Sequence, residues 1–228
     1  MADHIEDALI REVNDDLREE QMKLLWKRYG GYVVGAAILV VAIVAGYQGW
    51  KQYTTSTRLE EGERFYAASQ LADTGNVAGA MAAFASLAGD ASTGYGVLAT
   101  FQQATLKADA GDTAGAAALY AQIAQETISD PAISGLAQVL GTALEINAGG
   151  YDRGALELRL KAIAEDGQPY RYSAREMLAL LAMQAGDVVA ARTQFEQLAS
   201  DATAPQGIAQ RAGEIAQSLG ATQVLGAK

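Results

Sequence analysis

The chain has 228 residues, of which 50% are hydrophobic but only 7% aromatic, and its formal net charge is −10. This charge argues against nucleic acid as a partner, because phosphate binding needs clustered Lys and Arg side chains. The absence of cysteine excludes disulfides, thiolate metal sites and cysteine nucleophiles, and the single histidine is His4. Abundant alanine and only three prolines favour an all-α fold class.

Residues 1–28 form an acidic segment with a helical pattern of apolar side chains. An apolar residue recurs at every fourth position, and Asp and Glu residues lie between these positions. The apolar residues are Ile5, Leu9, Val13 and Leu17. This spacing predicts an amphipathic helix with one apolar stripe. The stripe either docks on a partner or belongs to a solvated helix, and the segment is too acidic to lie on anionic lipid.

Residues 29–50 form a run of 22 residues without a charged side chain. As a helix the run would span about 33 Å, which matches a bilayer core of about 30 Å. Aromatic residues bracket both ends of the run, where amphipathic rings prefer the headgroup level. These predicted membrane-interface residues are Trp26, Tyr29, Tyr32, Tyr47, Trp50 and Tyr53. The run is therefore predicted to be a transmembrane helix.

Two other interpretations of this run are less favourable. Core helices of soluble proteins rarely continue this long without a charge. A cleaved signal peptide has a short charged start and an apolar run of about 7–15 residues, whereas a long, largely acidic segment precedes this run. We therefore expect an uncleaved signal anchor.

The basic residues around the run predict its orientation. Arg18, Lys23, Lys27 and Arg28 precede the run, and Lys51, Arg58 and Arg64 follow it. The slight excess before the run predicts a cytoplasmic N-terminus and a C-terminal domain outside the cytoplasm. Gly31 and Gly35 form a GxxxG pair, which either brings two helices close together or reflects chance spacing.

Beyond the run we expect a juxtamembrane linker at 51–57, a helical domain at 58–220 and a flexible tail at 221–228. The domain contains short breaks in which Gly precedes Asp or Asn, or lies close before it. Gly at the end of one helix and an Asp or Asn cap for the next are typical of tight helix–helix turns. The breaks are TGN at 74–76, AGD at 110–112, AGGYD at 148–152 and AGD at 185–187.

The turns divide the domain into units with a common pattern. Counting from Gly75, Gly111 and Gly186, a small residue lies five positions on, and an aromatic residue lies nine positions on. These repeat-packing residues are Ala80 and Phe84, Ala116 and Tyr120, and Ala191 and Phe195. A similar series follows Gly150 one residue later, so the anchors lie 36, 39 and 36 residues apart. This period predicts stacked helical hairpins.

The pattern of small, aromatic and apolar residues resembles the second helix of tetratricopeptide repeats. The small residue would let the two helices of a hairpin approach, and the aromatic residue would fill the groove against the next hairpin. The first helix of each unit lacks the Trp-Leu-Gly-Tyr pattern, and the terminating proline occurs only at Pro131 and Pro205. We therefore expect a short, irregular tetratricopeptide-like α-solenoid, capped by a last helix over about 205–219.

The order of these parts also resembles a known family. The sequence EVNDDLREEQMKLLWKRYGGY leads into the apolar run, which ends in GYQGWKQY, and TGYGVLATFQQA (93–104) and AGDVVAARTQFEQL (185–198) follow. The whole arrangement is similar to the YfgM-like family, which comprises ancillary subunits of the SecYEG translocon in Gram-negative bacteria.

This resemblance implies an inner-membrane protein with a single span, a cytoplasmic N-terminus and a periplasmic domain. The implied role is a scaffold or chaperone accessory of the protein-export translocon. The implied partners are the SecYEG translocon, a membrane-anchored periplasmic chaperone of the prolyl-isomerase type, exported client proteins and the lipid bilayer. The alternative is a membrane-anchored adaptor in envelope assembly or stress signalling, which would act through its cytoplasmic N-terminal segment.

We expect no enzymatic activity, and no catalytic residues, cofactor or metal site. The sequence contains neither a glycine-rich phosphate loop nor a GxSxG elbow. Adjacent carboxylates at Glu60/Glu61 and Glu165/Asp166 do not face each other on a helix, so we interpret them as solvated surface. A hydrolase with a carboxylate-only site would require two carboxylates that converge in a deep pocket.

One cluster is a candidate partner-binding site. It combines tyrosine and arginine, two residue types that are enriched at binding hot spots. The cluster consists of Tyr170, Arg171, Tyr172 and Arg175. It also contrasts with residues 65–150, where Lys107 is the sole basic residue. The interpretation that we favour for the cluster is structural: the tyrosines pack the turn and the arginines are solvated.

Overall fold

The computed structural model describes residues 3–92 and 94–226, with side chains at 23, 25–92 and 94–220. The predicted apolar stripe from Ile5 to Leu17 lies outside the described side chains. The described residues contain no strand and form nine α-helices, which confirms the all-α class. The helices are α1 (Asp3–Asp73), α2 (Val77–Asp90), α3 (Tyr95–Asp109), α4 (Thr113–Glu126), α5 (Pro131–Ala148), α6 (Arg153–Ile163), α7 (Arg171–Gln184), α8 (Val188–Ser200) and α9 (Gln206–Gly226).

The chain divides into two compact units, Met1–Leu59 and Glu60–Lys228. In the first unit, α1 carries the apolar run, and residues 51–57, expected to form a linker, also belong to this helix. The described part of the chain has one helix that is long and apolar enough to cross a membrane. Its most apolar window has a mean hydropathy of 2.0, and only 6% of that window is buried. A core helix of the same composition would instead be covered by protein.

The second unit is a succession of helical hairpins. The end of α1 packs against α2, α3 packs against α4, and α7 packs against α8. The fifth helix, α5, packs against α4. Contacts run mainly between helices that are neighbours in the chain, which is the arrangement of stacked repeats. The last helix, α9, packs on α8 and α7. It continues to Gly226, beyond the expected end near Leu219, and the mobility of the tail stays a prediction.

The glycine turns share one hydrogen-bond pattern. At the first turn, Gly75 has a φ of +80°, its N–H donates to the Ala72 carbonyl at 2.9 Å, and the Asn76 N–H donates to the Leu71 carbonyl at 2.9 Å. This is a Schellman motif, which closes a helix through a left-handed residue. The Asn76 side chain then caps α2 by accepting from the Gly79 N–H. The same bonds recur at Gly111 and Asp112 and at Gly186 and Asp187.

The repeat-packing residues lie in the cores between the helices. Ala80, Ala116 and Ala191 are fully buried, and the three aromatic residues are buried as well. The Phe84 ring lies 5.4 Å from the Phe65 ring of its own hairpin and packs with Ala99 of the next. Each aromatic residue of a second helix therefore packs against both its own hairpin and the following helix. The corresponding neighbours are Phe101 and Ala137 for Tyr120, and Ala179 and Ala212 for Phe195.

We predict that Gly111→Ala destabilises the helical unit by about 1 kcal/mol, because a side chain at its φ of +82° is strained. The matched change Gly213→Ala should stabilise by about 0.5–1 kcal/mol, because this glycine is helical and a Cβ there would make ordinary contact with Ala199. Urea unfolding of the full chain in detergent, followed by far-UV circular dichroism, checks both values. Effects of the same sign would contradict the prediction.

A second prediction concerns the buried hydroxyl of Thr142, which has no hydrogen-bond partner in the part of the chain described. Thr142→Val should stabilise by about 1 kcal/mol, because valine fills the same space without an unsatisfied polar atom. The control is Thr100→Val, since the Thr100 hydroxyl donates to the Gly96 carbonyl at 3.0 Å. The control should lose about 0.5–1 kcal/mol. Thermal unfolding compares the two, and a destabilised Thr142→Val chain would refute the prediction.

Candidate protein-binding surface

The predicted Tyr/Arg cluster lies at the start of α7. Tyr172 is only 7% exposed and belongs to the core between α7, α8 and α9. The guanidinium of Arg171 lies 4.3 Å from the centroid of the Tyr172 ring and donates a hydrogen bond of 2.9 Å to its hydroxyl. The Tyr172 hydroxyl in turn hydrogen-bonds the Thr203 hydroxyl. The cluster thus connects the start of α7 with the turn before α9.

Arg175 and Asp201 complete this connection. The Thr203 hydroxyl and N–H donate to the Asp201 carboxylate at 2.6 and 2.8 Å. Arg175 lies 3.8 Å from the same carboxylate and donates to Asp166 at 2.8 Å. The hydrogen bonds from Thr203, and secondarily the charge of Arg175, lower the pKa of Asp201. The arginine is therefore engaged in ion pairs.

Tyr170 packs in the other direction, towards α5. A Cβ built on Gly135 of α5 would lie only 2.9 Å from the Tyr170 ring, so this glycine permits the close contact. Tyr170 also packs against the core that contains Ile163. The four residues of the cluster are thus engaged within the domain, and their role in partner binding stays a prediction.

The lowered pKa of Asp201 predicts a pH dependence. A carboxylate with a folded pKa below its ordinary value stabilises the fold above the ordinary value, and this contribution is lost as pH falls through the folded pKa. Asp201→Asn should therefore be less stable than the wild type at neutral pH, and the difference should close on acidification. Asp73→Asn, at an exposed helix end, controls for the removal of one negative charge. Urea unfolding across pH measures the difference, and a pH-independent gap would refute the prediction.

Two grooves occupy equivalent positions along the hairpins. The first lies between α4 and α6 over α5, with a volume of about 330 Å³, and the second lies between α6 and α8 over α7, with about 470 Å³. Alanines and other small residues dominate the first groove, whose lining has no basic residue. The second groove has charged walls and an apolar floor that includes Leu178 and Ala182. Its charged residues are Arg153, Glu157, Lys161, Arg175, Asp187 and Asp201.

The aromatic residues of the first unit are exposed on α1. They include Trp26 and Tyr32 near one end of the apolar run and Tyr47 and Trp50 near the other. Tyr29 and Tyr53 are exposed as well. At Gly31 and Gly35 a Cβ would meet nothing within 4 Å. This exposed apolar surface with aromatic ends is typical of a helix in contact with lipid.

One carboxylate does not lie where the sequence predicts. The interpretation of Glu61 as solvated surface was wrong, because this residue is only 5% exposed. Its carboxylate accepts hydrogen bonds from the Ser92 N–H at 2.8 Å and the Ser92 hydroxyl at 3.1 Å. These bonds tie the last part of α1 to the turn before α3, so the carboxylate is structural. The described residues contain no group of three His, Cys, Asp or Glu that could hold a metal ion.

Comparison with known proteins relates the chain to a helical-repeat family. The profile of the tetratricopeptide repeat-like domain family matches residues 23–165, which is more than half of the 228 residues. The matched range begins before the apolar run and ends shortly after α6, so α7, α8 and α9 lie outside it. No curated protein and no solved structure matches the chain.

Proposed function

Because the chain belongs to the tetratricopeptide repeat-like domain family, we propose that it is a membrane-anchored scaffold whose helical hairpins bind other proteins. The observation that carries this proposal is a stack of hairpins in the same chain as an exposed apolar helix. Stacked repeats present extended surfaces, which suit protein partners better than small substrates. Six charged side chains line the groove between α6 and α8.

The proposed location is the inner membrane, with residues 29–50 as the span. The exposed apolar side chains and the aromatic residues at both ends of the run support this placement. Lys27 and Arg28 at the edge of the run favour a cytoplasmic N-terminus, and the helical domain would then face the periplasm.

The proposed partner is the SecYEG translocon, together with a membrane-anchored periplasmic chaperone of the prolyl-isomerase type and exported client proteins. Support for these partners comes from the similarity of residues 93–104, residues 185–198 and the apolar run to the YfgM-like family. The competing candidate is an adaptor in envelope assembly or stress signalling. The acidic start of α1 favours that candidate, because it would lie on the cytoplasmic side.

The proposal is tested first by topology and then by partnership. A reporter that is active only outside the cytoplasm, fused after Lys228, should be active in a Gram-negative host. The tagged chain, crosslinked in cells and extracted in mild detergent, should copurify with translocon subunits. A cytoplasmic reporter contradicts the periplasmic location, and repeated absence of translocon subunits from the eluates contradicts the partnership.

A truncated chain separates the two candidates. Removal of residues 1–22 takes away most of the acidic segment but leaves the basic residues at the edge of the apolar run. Copurification with the translocon should survive this truncation if the helical domain makes the contact. Loss of the partner at unchanged membrane insertion would instead favour the cytoplasmic adaptor.

A further inference from the structure

The turn between α6 and α7 contains the single Asp-Gly pair of the sequence, Asp166 and Gly167. The Gln168 N–H donates to the Glu165 carbonyl at 3.2 Å, which closes a β-turn over this pair. Gly167 has a φ of +90°, and no non-glycine residue among those described has a positive φ. A positive φ at the third turn residue alone is typical of a type II turn, which favours glycine there. The pair therefore occupies the centre of a type II turn.

The two groups that react with each other in an Asp-Gly pair are both accessible here. The side chain of Asp166 is 90% exposed, and the N–H of Gly167 donates no hydrogen bond within the described part of the chain. Glycine also lacks a Cβ, so no side chain shields its nitrogen. The carboxyl carbon of Asp166 can therefore reach the Gly167 nitrogen after a local rotation of the turn.

The aspartates that begin other helices lack this combination. Asp112, Asp152 and Asp187 each accept a hydrogen bond from a backbone N–H of the helix that they cap. The residue after each of them has a side chain, which crowds the nitrogen that would have to react. These following residues are Thr113, Arg153 and Val188. Asp166 differs from the three aspartates because it caps no helix and precedes a glycine.

One ion pair restrains the carboxylate of Asp166. Arg175 donates to this carboxylate at 2.8 Å, donates to the Ala164 carbonyl at 3.3 Å and lies 3.8 Å from the Asp201 carboxylate. The Asp166 carboxylate must leave the guanidinium before its carbon can reach the Gly167 nitrogen. An exposed ion pair of this kind changes an equilibrium by a factor of about five at most. Arg175 therefore slows the approach without preventing it.

We propose that Asp166 is a site of spontaneous isoaspartate formation and that its ion pair with Arg175 slows the reaction. In the first step, the Gly167 nitrogen attacks the side-chain carboxyl carbon of Asp166. A C–N bond forms, and the carboxyl OH leaves as water with the proton of the attacking N–H. The product is a five-membered succinimide ring. The reaction needs no partner protein, so the proposal is independent of the scaffold function.

In the second step, water opens the succinimide ring at one of its two carbonyl carbons. Cleavage of the bond between the nitrogen and the side-chain carbon restores aspartate. Cleavage of the bond between the nitrogen and the former main-chain carbonyl carbon gives isoaspartate, in which the main chain runs through the former side chain. The water released in the first step is taken up again in the second. The mass therefore stays unchanged, and neither an oxidant nor a co-reactant is required.

The product changes the geometry of the turn. Isoaspartate lengthens the main chain by one CH₂ group and carries its free carboxylate directly on the Cα, so the carboxylate leaves the position in which Arg175 binds it. The turn leads through Pro169 to Tyr170, and the Tyr170 ring lies against Gly135 of α5. The modification therefore alters the junction at which α6, α7 and α5 meet.

The test ages the full chain in detergent micelles at neutral pH and physiological temperature over several weeks. Trypsin releases residues 162–171 as one peptide, since Lys161 precedes it and Arg171 ends it. Liquid chromatography with mass spectrometry should show a second peak of identical mass that grows with time and is methylated by an isoaspartyl methyltransferase. The tryptic peptide that carries Asp187, which precedes a valine, is the internal reference and should stay a single peak.

Two outcomes of the ageing experiment overturn the modification site. One is the absence of isoaspartate from residues 162–171, and the other is an equal amount in the reference peptide. Asp166→Glu should remove the second peak, because a glutamate would have to close a less favourable six-membered ring. A second peak that persists in this variant also contradicts the assignment to Asp166.

Arg175→Gln tests the restraint and should speed isoaspartate formation by about two- to fivefold. Asp201→Asn is the matched control, because it removes the other ion pair of Arg175 and leaves the pair with Asp166. This control should age at the rate of the wild type. An unchanged rate in Arg175→Gln, or equal acceleration in both variants, overturns the role of Arg175.

A measurement without a substitution covers the case in which Arg175→Gln fails to fold. A high salt concentration screens an exposed ion pair, so it should speed the reaction in the wild type. The same salt should leave the rate unchanged in a synthetic peptide with the sequence of residues 162–171, which lacks Arg175. Equal salt effects on the chain and on the peptide contradict the restraint.

Discussion

The helical unit depends on the aromatic side chain that each of three second helices places between its own hairpin and the helix that follows. Phe84, Tyr120 and Phe195 are buried against the first helix of their own hairpin and against the helix that follows. Truncation of a buried Phe to Ala costs about 3–5 kcal/mol, against a total stability of about 5–15 kcal/mol for a typical domain. Each of these three hairpins thus needs the helix that follows it, because separation would expose one face of a buried aromatic ring.

The features that the sequence predicts well are local in the chain. The turn at Gly111 and Asp112 is encoded by adjacent residues, since a left-handed glycine ends one helix and an acidic side chain caps the next. The periodic positions of the repeat-packing residues likewise follow from helical geometry. For these reasons the amino-acid sequence alone is sufficient to predict the all-α class and the order of the hairpins.

The features that the sequence does not predict depend on residues about one repeat apart. Glu61 bonds Ser92 and Tyr172 bonds Thr203, in each case 31 positions along the chain. No local pattern distinguishes such a buried carboxylate from a solvated one, because the partner is brought near only by hairpin stacking. The charged groove is equally non-local, since three helices contribute to it.

The position of α6 also affects how the helical unit opens. It is the shortest of the helices described, and it packs more extensively against α7 than against α5. In stacked repeats, stability is the sum of intrinsic terms and of couplings between neighbours. The helix nevertheless shares one buried core with both neighbours, in which Ile146 of α5 packs with Leu160 of α6 and Leu181 of α7. Local opening of α5 would therefore remove part of the core behind α6, and α6 provides one wall of the charged groove.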